Sequence, residues 1–307
     1  MSRFTQHSWF QYIVLFFGIL CIAWSAIFVK LADVGGLSSG FYRMFIGTIG
    51  VLPLWYYRRR PLKDWHSVKI AAICGLIFAC DIGLWNTAIL HSKAAISTLL
   101  ANLAPVWVGL GAIFILKEKP GRIFWVGTLV ALIGVIIIVG VDQVFNSKIG
   151  VGNLLAITAS LFYGAYLLTV RKGRVSLDTV SFTAVSMIAS SLFLFLICVG
   201  TGAPLGGFAM KSWFALIGLG LISQLGGWLA INYALGHIKP TAASVSLLSQ
   251  SVFTAIFSIP VLGEYLTWME VSGAVIVLAG IFMVNRKNLR IKSGTEPKGE
   301  DVSVMEV

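Results

Sequence analysis

The sequence predicts an all-α integral membrane protein of ten transmembrane helices, arranged as two inverted five-helix repeats. Three observations lead to this prediction: the composition is strongly apolar, the apolar residues fall into ten runs, and the two halves of the chain align with each other. Of the 307 residues, 58% are hydrophobic and 11% are charged, whereas soluble domains average roughly 45–50% apolar and 25% charged residues. This composition excludes a secreted toxin, a disordered tail and a cytosolic enzyme.

Each apolar run is closed by charge, Gly or Pro and approaches the ~20 residues that cross a bilayer core. The first run follows a short basic start, as in a signal peptide, but it is too long and no small-residue cleavage site follows it. We therefore interpret it as a retained membrane helix. The ten predicted spans are about 9–30, 37–57, 68–90, 94–116, 122–141, 150–170, 178–200, 211–235, 240–262 and 268–285.

Lysines and arginines set the predicted orientation, because positively charged loops stay cytoplasmic. With the N-terminus inside, 18 of the 23 Lys and Arg residues fall in cytoplasmic segments, four fall outside and Arg43 lies within the second span. The sequence thus predicts a multi-pass protein of the cell (inner or plasma) membrane with both termini cytoplasmic. The net charge of +11 then reflects topology and attraction to the lipid bilayer, and no nucleic-acid partner is expected.

The two halves of the chain align when one is shifted by 146 residues. This shift gives 11 identities over the 54 aligned positions 86–139, and the paired positions include Asn86 with Asn232, His91 with His237, Glu118 with Glu264, Gly127 with Gly273 and Gly134 with Gly280. We therefore predict a first repeat at 1–145, a second repeat at 146–286 and a polar cytoplasmic tail at 287–307. Five spans in each repeat give the halves opposite orientations.

Inverted repeats of this kind recur in secondary transporters, where two halves rock around a central site. The chain has no nucleotide-binding GxxxxGK[ST] motif and no HExxH metal motif, so we expect neither ATP-driven pumping nor a cofactor. An enzyme is not expected, because intramembrane aspartyl chemistry needs two apposed carboxylates and only Asp81 lies deep in a span. A non-transporting membrane scaffold or regulatory protein stays open as the alternative function.

Three short motifs resemble one transporter family. They are Phe41-Tyr42-Arg43-Met44 in the second span, Asn102-Leu103-Ala104-Pro105 in the fourth, and Leu262-Gly263-Glu264 closing the ninth, with Gly273 and Gly280 after it. Together with the ten spans, they resemble the EamA family of the drug/metabolite transporter superfamily. The first repeat departs from the family pattern, because Lys117 stands before Glu118 where the family usually has Gly.

The resemblance implies a basket of helices one to four and six to nine around a central cavity, with the fifth and tenth helices packed behind it. It also implies transport, often export, of small metabolites such as amino acids or related amines, without ATP hydrolysis.

Asp81 is the most informative single residue, since a carboxylate near the middle of a span is costly unless it faces water, a partner or an ion. It suits a proton-coupling group or a counter-ion for an ammonium substrate, and a static pair with Arg43 is the structural alternative. For Arg43, we weigh pairing with Asp81 or capping carbonyls against bidentate binding of a substrate carboxylate.

Amide and aromatic side chains in the flanking spans complete the predicted substrate-binding set. Aromatic faces attract ammonium groups, so these residues predict a pocket for a zwitterion or cation; packing and interhelical hydrogen bonding are the alternative roles. The predicted set is Trp24, Arg43, Asp81, Trp85, Asn86, Asn102, Pro105, Tyr163, Tyr166, Gln224, Trp228, Asn232 and Gln250.

Paired glycines seven residues apart in the fifth and tenth spans predict close helix packing, and a homodimer contact is a further possibility there. The four cysteines fall in apolar runs without CxxC spacing, which indicates packing thiols and neither a metal site nor a disulfide framework.

Overall fold

The computed structural model describes residues 8–58, 62, 64–91, 94–140, 150–263 and 267–290, and no strand occurs among them. The helices are α1 Ser8–Ala32, α2 Gly36–Arg58, α3 Trp65–His91, α4 Ala94–Ala101, α5 Ala104–Ile115, α6 Arg122–Val139, α7 Val151–Gly173, α8 Thr179–Thr201, α9 Met210–Gly218, a π-helical segment Leu219–Gly227, α10 Trp228–Leu235, α11 Pro240–Leu247, α12 Ser249–Leu262 and α13 Trp268–Arg290.

Eight helical stretches in the described part of the chain are long and apolar enough to cross a membrane. The predicted second span, α2, and the predicted fourth span, which includes the shorter apolar stretch Leu99–Ile115, fall outside this set. The chain is therefore an all-α, multi-pass membrane protein, and the count of ten spans stays a prediction. Helix α13 continues to Arg290, so the first residues of the predicted polar tail are helical; residues 291–307 lie outside the described residues.

Two predicted spans are each two helices and not one. The fourth is interrupted between Ala101 and Ala104, where Pro105 at the start of α5 lacks the amide hydrogen that a continuous helix needs. The ninth is interrupted at Leu248, where the Ser249 hydroxyl donates to the Ser246 carbonyl at 2.7 Å and so competes with the helical hydrogen bonds. The 146-residue shift places these two interruptions at matching positions.

The turns that follow the interrupted spans also match. Gly263 adopts a left-handed backbone conformation with φ of 68°, and Lys117, at the equivalent position of the first half, has φ of 55°. The left-handed region favours glycine because a Cβ atom crowds the following carbonyl there. The turn is thus present in both halves although the first half has Lys where the resembled family usually has Gly.

Helices α6 and α13 pack against each other through the paired glycines, as the sequence predicted. A Cβ atom on Gly134 would lie 2.7 Å from the Gly273 carbonyl oxygen, and one on Gly127 would lie 2.9 Å from that of Gly280. Gly127 meets Gly280 and Gly134 meets Gly273, so residue numbers increase along α6 while they decrease along α13. The two helices are therefore antiparallel. Without side chains at these positions, the backbones approach closely enough for extensive van der Waals contact.

Helix α3 packs against α7 and α8 and brings the centre of the first half against the second. Its start is capped by Asp64, whose carboxylate accepts hydrogen bonds from the Ser67 hydroxyl at 2.5 Å and the His66 amide at 3.1 Å. These hydrogen bonds hold the pKa of the Asp64 carboxyl below its usual range. Further along α3, Gly75 allows contact with α8, and Phe78 and Asp81 face the interior.

Candidate functional site

Arg43 links three helical elements deep inside the protein. Its side chain is 5% exposed, its Nε donates to Oε1 of Gln224 at 2.7 Å and its Nη1 donates to the Ser25 hydroxyl at 2.9 Å. The guanidinium therefore binds neutral groups from α1 and the π-helical segment. Within the described residues, Arg43 forms no ion pair with Asp81, so the static pair that the sequence suggested is not present.

Asp81 lies on α3 with 7% of its surface exposed. Electrostatic interactions connect it with Arg43 and Tyr163, but no side chain in the described part of the chain donates a hydrogen bond to its carboxylate. A buried carboxylate without a close partner costs on the order of several kcal/mol relative to water. Asp81 is therefore the group in this region with most to gain from a bound cation.

Four aromatic rings pack together beside Asp81, and we call Phe78, Tyr163, Tyr166 and Trp228 the aromatic cluster. Phe78 stacks on Tyr166 with ring centroids 4.4 Å apart and meets Trp228 at 4.6 Å. Trp228 also contacts Tyr166 at 5.1 Å and Tyr163 at 5.9 Å, both nearly perpendicular. Because Phe78 and Asp81 are three residues apart on α3, they lie on the same helix face, which places the cluster next to the carboxylate.

Two polar atoms of the aromatic cluster are buried without a hydrogen-bond partner in the described structure: the Tyr163 hydroxyl and Nε1 of Trp228. Buried hydroxyl and indole groups are usually paired, and each unpaired one costs roughly 1–3 kcal/mol. Both groups can donate a hydrogen bond. The aromatic cluster therefore places two donors without partners beside Asp81, an acidic side chain without a close partner.

Tyr166 and Asn232 serve a different role, because their polar atoms are already paired. The Tyr166 hydroxyl donates to Oδ1 of Asn232 at 2.9 Å, and Nδ2 of Asn232 donates to the Thr183 hydroxyl at 3.2 Å. This chain of hydrogen bonds joins α7, α10 and α8. These hydrogen bonds hold the Tyr166 ring in contact with the rings of Phe78 and Trp228.

Gln224 reaches Arg43 from the π-helical segment, which ends immediately before Trp228. π-Helical turns are rare and frequently occur at functional sites. The segment lies close against α2, since a Cβ atom on Gly47 would lie 2.9 Å from Cγ of Gln224. Because Gly47 has no side chain, there is room for the Gln224 side chain in the position where it accepts the hydrogen bond from Arg43.

Asn86 and Asn102 act as interhelical links in the structure. Nδ2 of Asn86 donates to the Gly36 carbonyl at 2.7 Å and ties α3 to the start of α2, while its Oδ1 is buried without a described partner. Nδ2 of Asn102 donates to the Ser251 hydroxyl at 3.0 Å. This second bond joins the two interrupted spans at their interruptions.

No hydrogen bond or ring contact among the described residues joins the remaining predicted residues to the aromatic cluster. Trp24 stacks on Phe257 of α12 at 5.0 Å and on Phe28 at 5.8 Å. Trp85 and Gln250 are half-buried, and Pro105 is buried at the start of α5. Trp24 still borders the site, because it precedes Ser25, the partner of Arg43.

Sequence reasoning missed Ser25, Phe78 and Thr183. Phe78 could have been identified from the sequence, because it lies about one helical turn before Asp81 and therefore on the same face of the helix. Ser25 and Thr183 have none, because they meet Arg43 and Asn232 only through tertiary contacts with residues 18 and 49 positions away.

We expect Ser251→Ala to lower the melting temperature in detergent, because Asn102 loses its partner. Such interhelical bonds contribute about 0.6 kcal/mol on average and up to about 1.7. The matched control is Ser272→Ala on α13, whose hydroxyl, within the described ranges, binds only the carbonyl of Met269 on its own helix. If both variants melt at the same temperature, the bond between the two interruptions does not stabilise the fold.

The sequence model of the EamA-like transporter family matches residues 9–140 and 150–286. A protein of Archaeoglobus fulgidus named as an uncharacterized transporter is 25% identical over 289 residues, which cover 90% of this chain and 97% of the relative. The human protein named solute carrier family 35 member G1 is also 25% identical, over 270 residues that cover 83% of this chain and 73% of the relative.

A solved crystal structure has the same fold. It superposes with a TM-score of 0.78 and covers 91% of this chain and 99% of that chain, at 16% sequence identity. At this identity the likeness extends to the fold alone.

Proposed function

Because the chain belongs to the EamA-like transporter family, we propose that it is a secondary carrier that exports a small amino acid or amine-type metabolite across the cell membrane by alternating access. The family and the transporter names of the relatives make the chain a membrane transporter and not an enzyme. The proposal goes further, to substrate and mechanism. The observation that carries it is the buried Asp81 carboxylate without a close partner.

The groups around Asp81 match the chemistry of such a metabolite. A substrate ammonium group would supply the counter-charge that Asp81 lacks, and the faces of the aromatic cluster would attract the same cation. The Tyr163 hydroxyl and Nε1 of Trp228 would donate to a carbonyl or carboxylate oxygen of the substrate. Arg43 would add positive charge near that oxygen while Ser25 and Gln224 hold its position.

Alternating access is supported by the correspondence between the two halves. The 146-residue shift carries α4 onto α11 residue for residue and aligns the left-handed turns at Lys117 and Gly263. Two similar halves, threaded in opposite directions, would exchange conformations and expose the same site to each side in turn. Interrupted helices near the site would act as the points at which each half bends.

The direct test is uptake by liposomes that contain the purified protein. Preloaded unlabelled amino acid or amine should drive accumulation of the labelled compound, because exchange needs only one site open to each side in turn. A panel should pair each amine with its uncharged amide or alcohol analogue. We expect transport of the ammonium compounds only; equal transport of the neutral analogues would contradict the assignment to Asp81.

We expect Trp228→Phe to raise the apparent KM roughly tenfold or more, because a hydrogen bond to a charged group contributes about 1.5–3 kcal/mol. The aromatic packing with Phe78 is retained, so the maximal rate and the melting temperature should change little. Trp125→Phe on α6 is the matched control, since Trp125 contacts Phe124 and lies outside the aromatic cluster. An unchanged KM in Trp228→Phe would exclude Nε1 as a substrate donor.

A further inference from the structure

A cavity lies apart from the aromatic cluster, where the turn between α5 and α6 meets the start of α11 and the later part of α13. Its volume is about 620 Å³. The sequence predicts that this end of the helices faces the cytoplasm. The lining residues that matter for its chemistry are Glu118, Lys119, Arg122, Ile123, Lys239 and Val284.

The charged part of the lining is predominantly positive. Glu118 and Lys239 form an ion pair with Nζ and Oε2 3.4 Å apart, and both side chains are partly exposed. Lys119 and Arg122 line the same cavity, and no acidic side chain in the described part of the chain pairs with either. Two cations are thus left to attract an anion.

The apolar part of the cavity continues along the outside of α6. Ile123 and Val284 form part of the wall, and Ile123, Val126, Leu129 and Ile133 are all exposed. Their spacing of three to four residues places them on one helix face. In a membrane protein such an exposed stripe faces the acyl chains of the lipid.

We infer that this cavity binds the phosphate headgroup of an anionic phospholipid through Lys119 and Arg122, with an acyl chain along the stripe from Ile123 to Ile133. Basic pockets between membrane helices on the cytoplasmic side hold anionic headgroups. The apolar stripe favours a lipid over a soluble phosphate, because only a lipid fills both parts of the surface. This inference does not depend on the identity of the transported substrate.

The test measures lipid binding to the full-length protein in detergent by native mass spectrometry, with phosphatidylglycerol and phosphatidylcholine as probes. We expect one phosphatidylglycerol to bind more tightly than any phosphatidylcholine. Lys119→Gln with Arg122→Gln should weaken that binding roughly 30-fold, since each cation near the bilayer surface contributes about fivefold. The double variant Lys69→Gln with Lys172→Gln is the matched control, because it removes two exposed cations from the same predicted face outside the cavity.

The outcomes separate a built lipid site from general charge attraction and from a free-anion site. Equal loss of phosphatidylglycerol in the two double variants, or no loss in either, would overturn the inference. Inorganic phosphate at millimolar concentration is the third probe, and it should neither displace phosphatidylglycerol nor raise the melting temperature. If inorganic phosphate displaces phosphatidylglycerol and raises the melting temperature, the site binds soluble anions and the lipid assignment is wrong.

Discussion

Asp81→Asn is expected to abolish most transport while leaving the protein folded. Removing one partner of a buried charge pair costs about 2–5 kcal/mol, which corresponds to a loss of at least roughly 30-fold in substrate affinity. Asn has nearly the shape of Asp but no charge, so the variant also loses the cost of a buried carboxylate without a close partner. We therefore expect its melting temperature in the absence of substrate to be equal to or above that of the unmodified protein.

The control for this prediction is Asp33→Asn. Asp33 is exposed in the turn after α1, with a φ of 50° that Asn tolerates well. The Asp33→Asn substitution makes the same chemical change outside the site, so this variant should keep normal substrate exchange in liposomes. If Asp81→Asn transports amines at the normal rate, Asp81 does not bind the substrate ammonium group; a lowered melting temperature would instead show that Asp81 stabilises the fold.

Gly75→Ala is expected to cause the largest loss of stability among single-methyl substitutions at the contact of α3 with α8. A Cβ atom at this position would lie 2.2 Å from the Ser186 carbonyl oxygen and 3.0 Å from Cβ of Ala189. The clash is with backbone, so no side chain can turn away to relieve it. The two helices must separate, and the hydrogen bond from the Ser190 hydroxyl to the Gly75 carbonyl at 2.7 Å weakens as they do.

Overpacking of this kind typically costs about 1–3 kcal/mol, and we expect a clear drop in melting temperature, measured by tryptophan fluorescence in detergent. Gly200→Ala is the matched control: Gly200 lies within α8, and no atom of the part of the chain that the structure describes lies within 4 Å of its Cβ position. Alanine favours a helix interior by roughly 0.5–1 kcal/mol over glycine, so the control should melt at the same or a slightly higher temperature. Equal melting of both variants would show that α3 and α8 are less closely packed than the structure indicates.

The paired glycines illustrate how far sequence reasoning extends into packing. Their spacing of seven residues, repeated in both halves, predicted close helix packing without naming the partner helix, and α6 and α13 meet each other at these positions. The site was harder to predict. The sequence identified Asp81, Tyr163 and Trp228 as members of one set, but it did not distinguish them from Asn232 or Asn102, whose side-chain amide nitrogens already donate hydrogen bonds within the protein.

Arg43 shows why this distinction needs the tertiary structure. A cationic side chain within a membrane span predicts a pair with an anionic one, and Asp81 was the carboxylate that the sequence placed deep in a span. The partners of Arg43 are instead Ser25 and Gln224, from residues 18 and 181 positions away. Gln224 is reached through a π-helical segment that regular helical periodicity does not predict.

The sequence by itself determined that the chain is an all-α, multi-pass membrane protein of the EamA-like transporter family. Hydropathy and family motifs are local properties of the sequence. In lipid, backbone N–H and C=O groups without hydrogen bonds are costly, so an apolar run that crosses the membrane has few structures open to it besides a helix. Only the tertiary structure decided which polar groups satisfy one another and which are left for a ligand. Hydrogen bonds between side chains depend on ångström-scale distances between helices far apart in the chain, and no local pattern of residues encodes those distances.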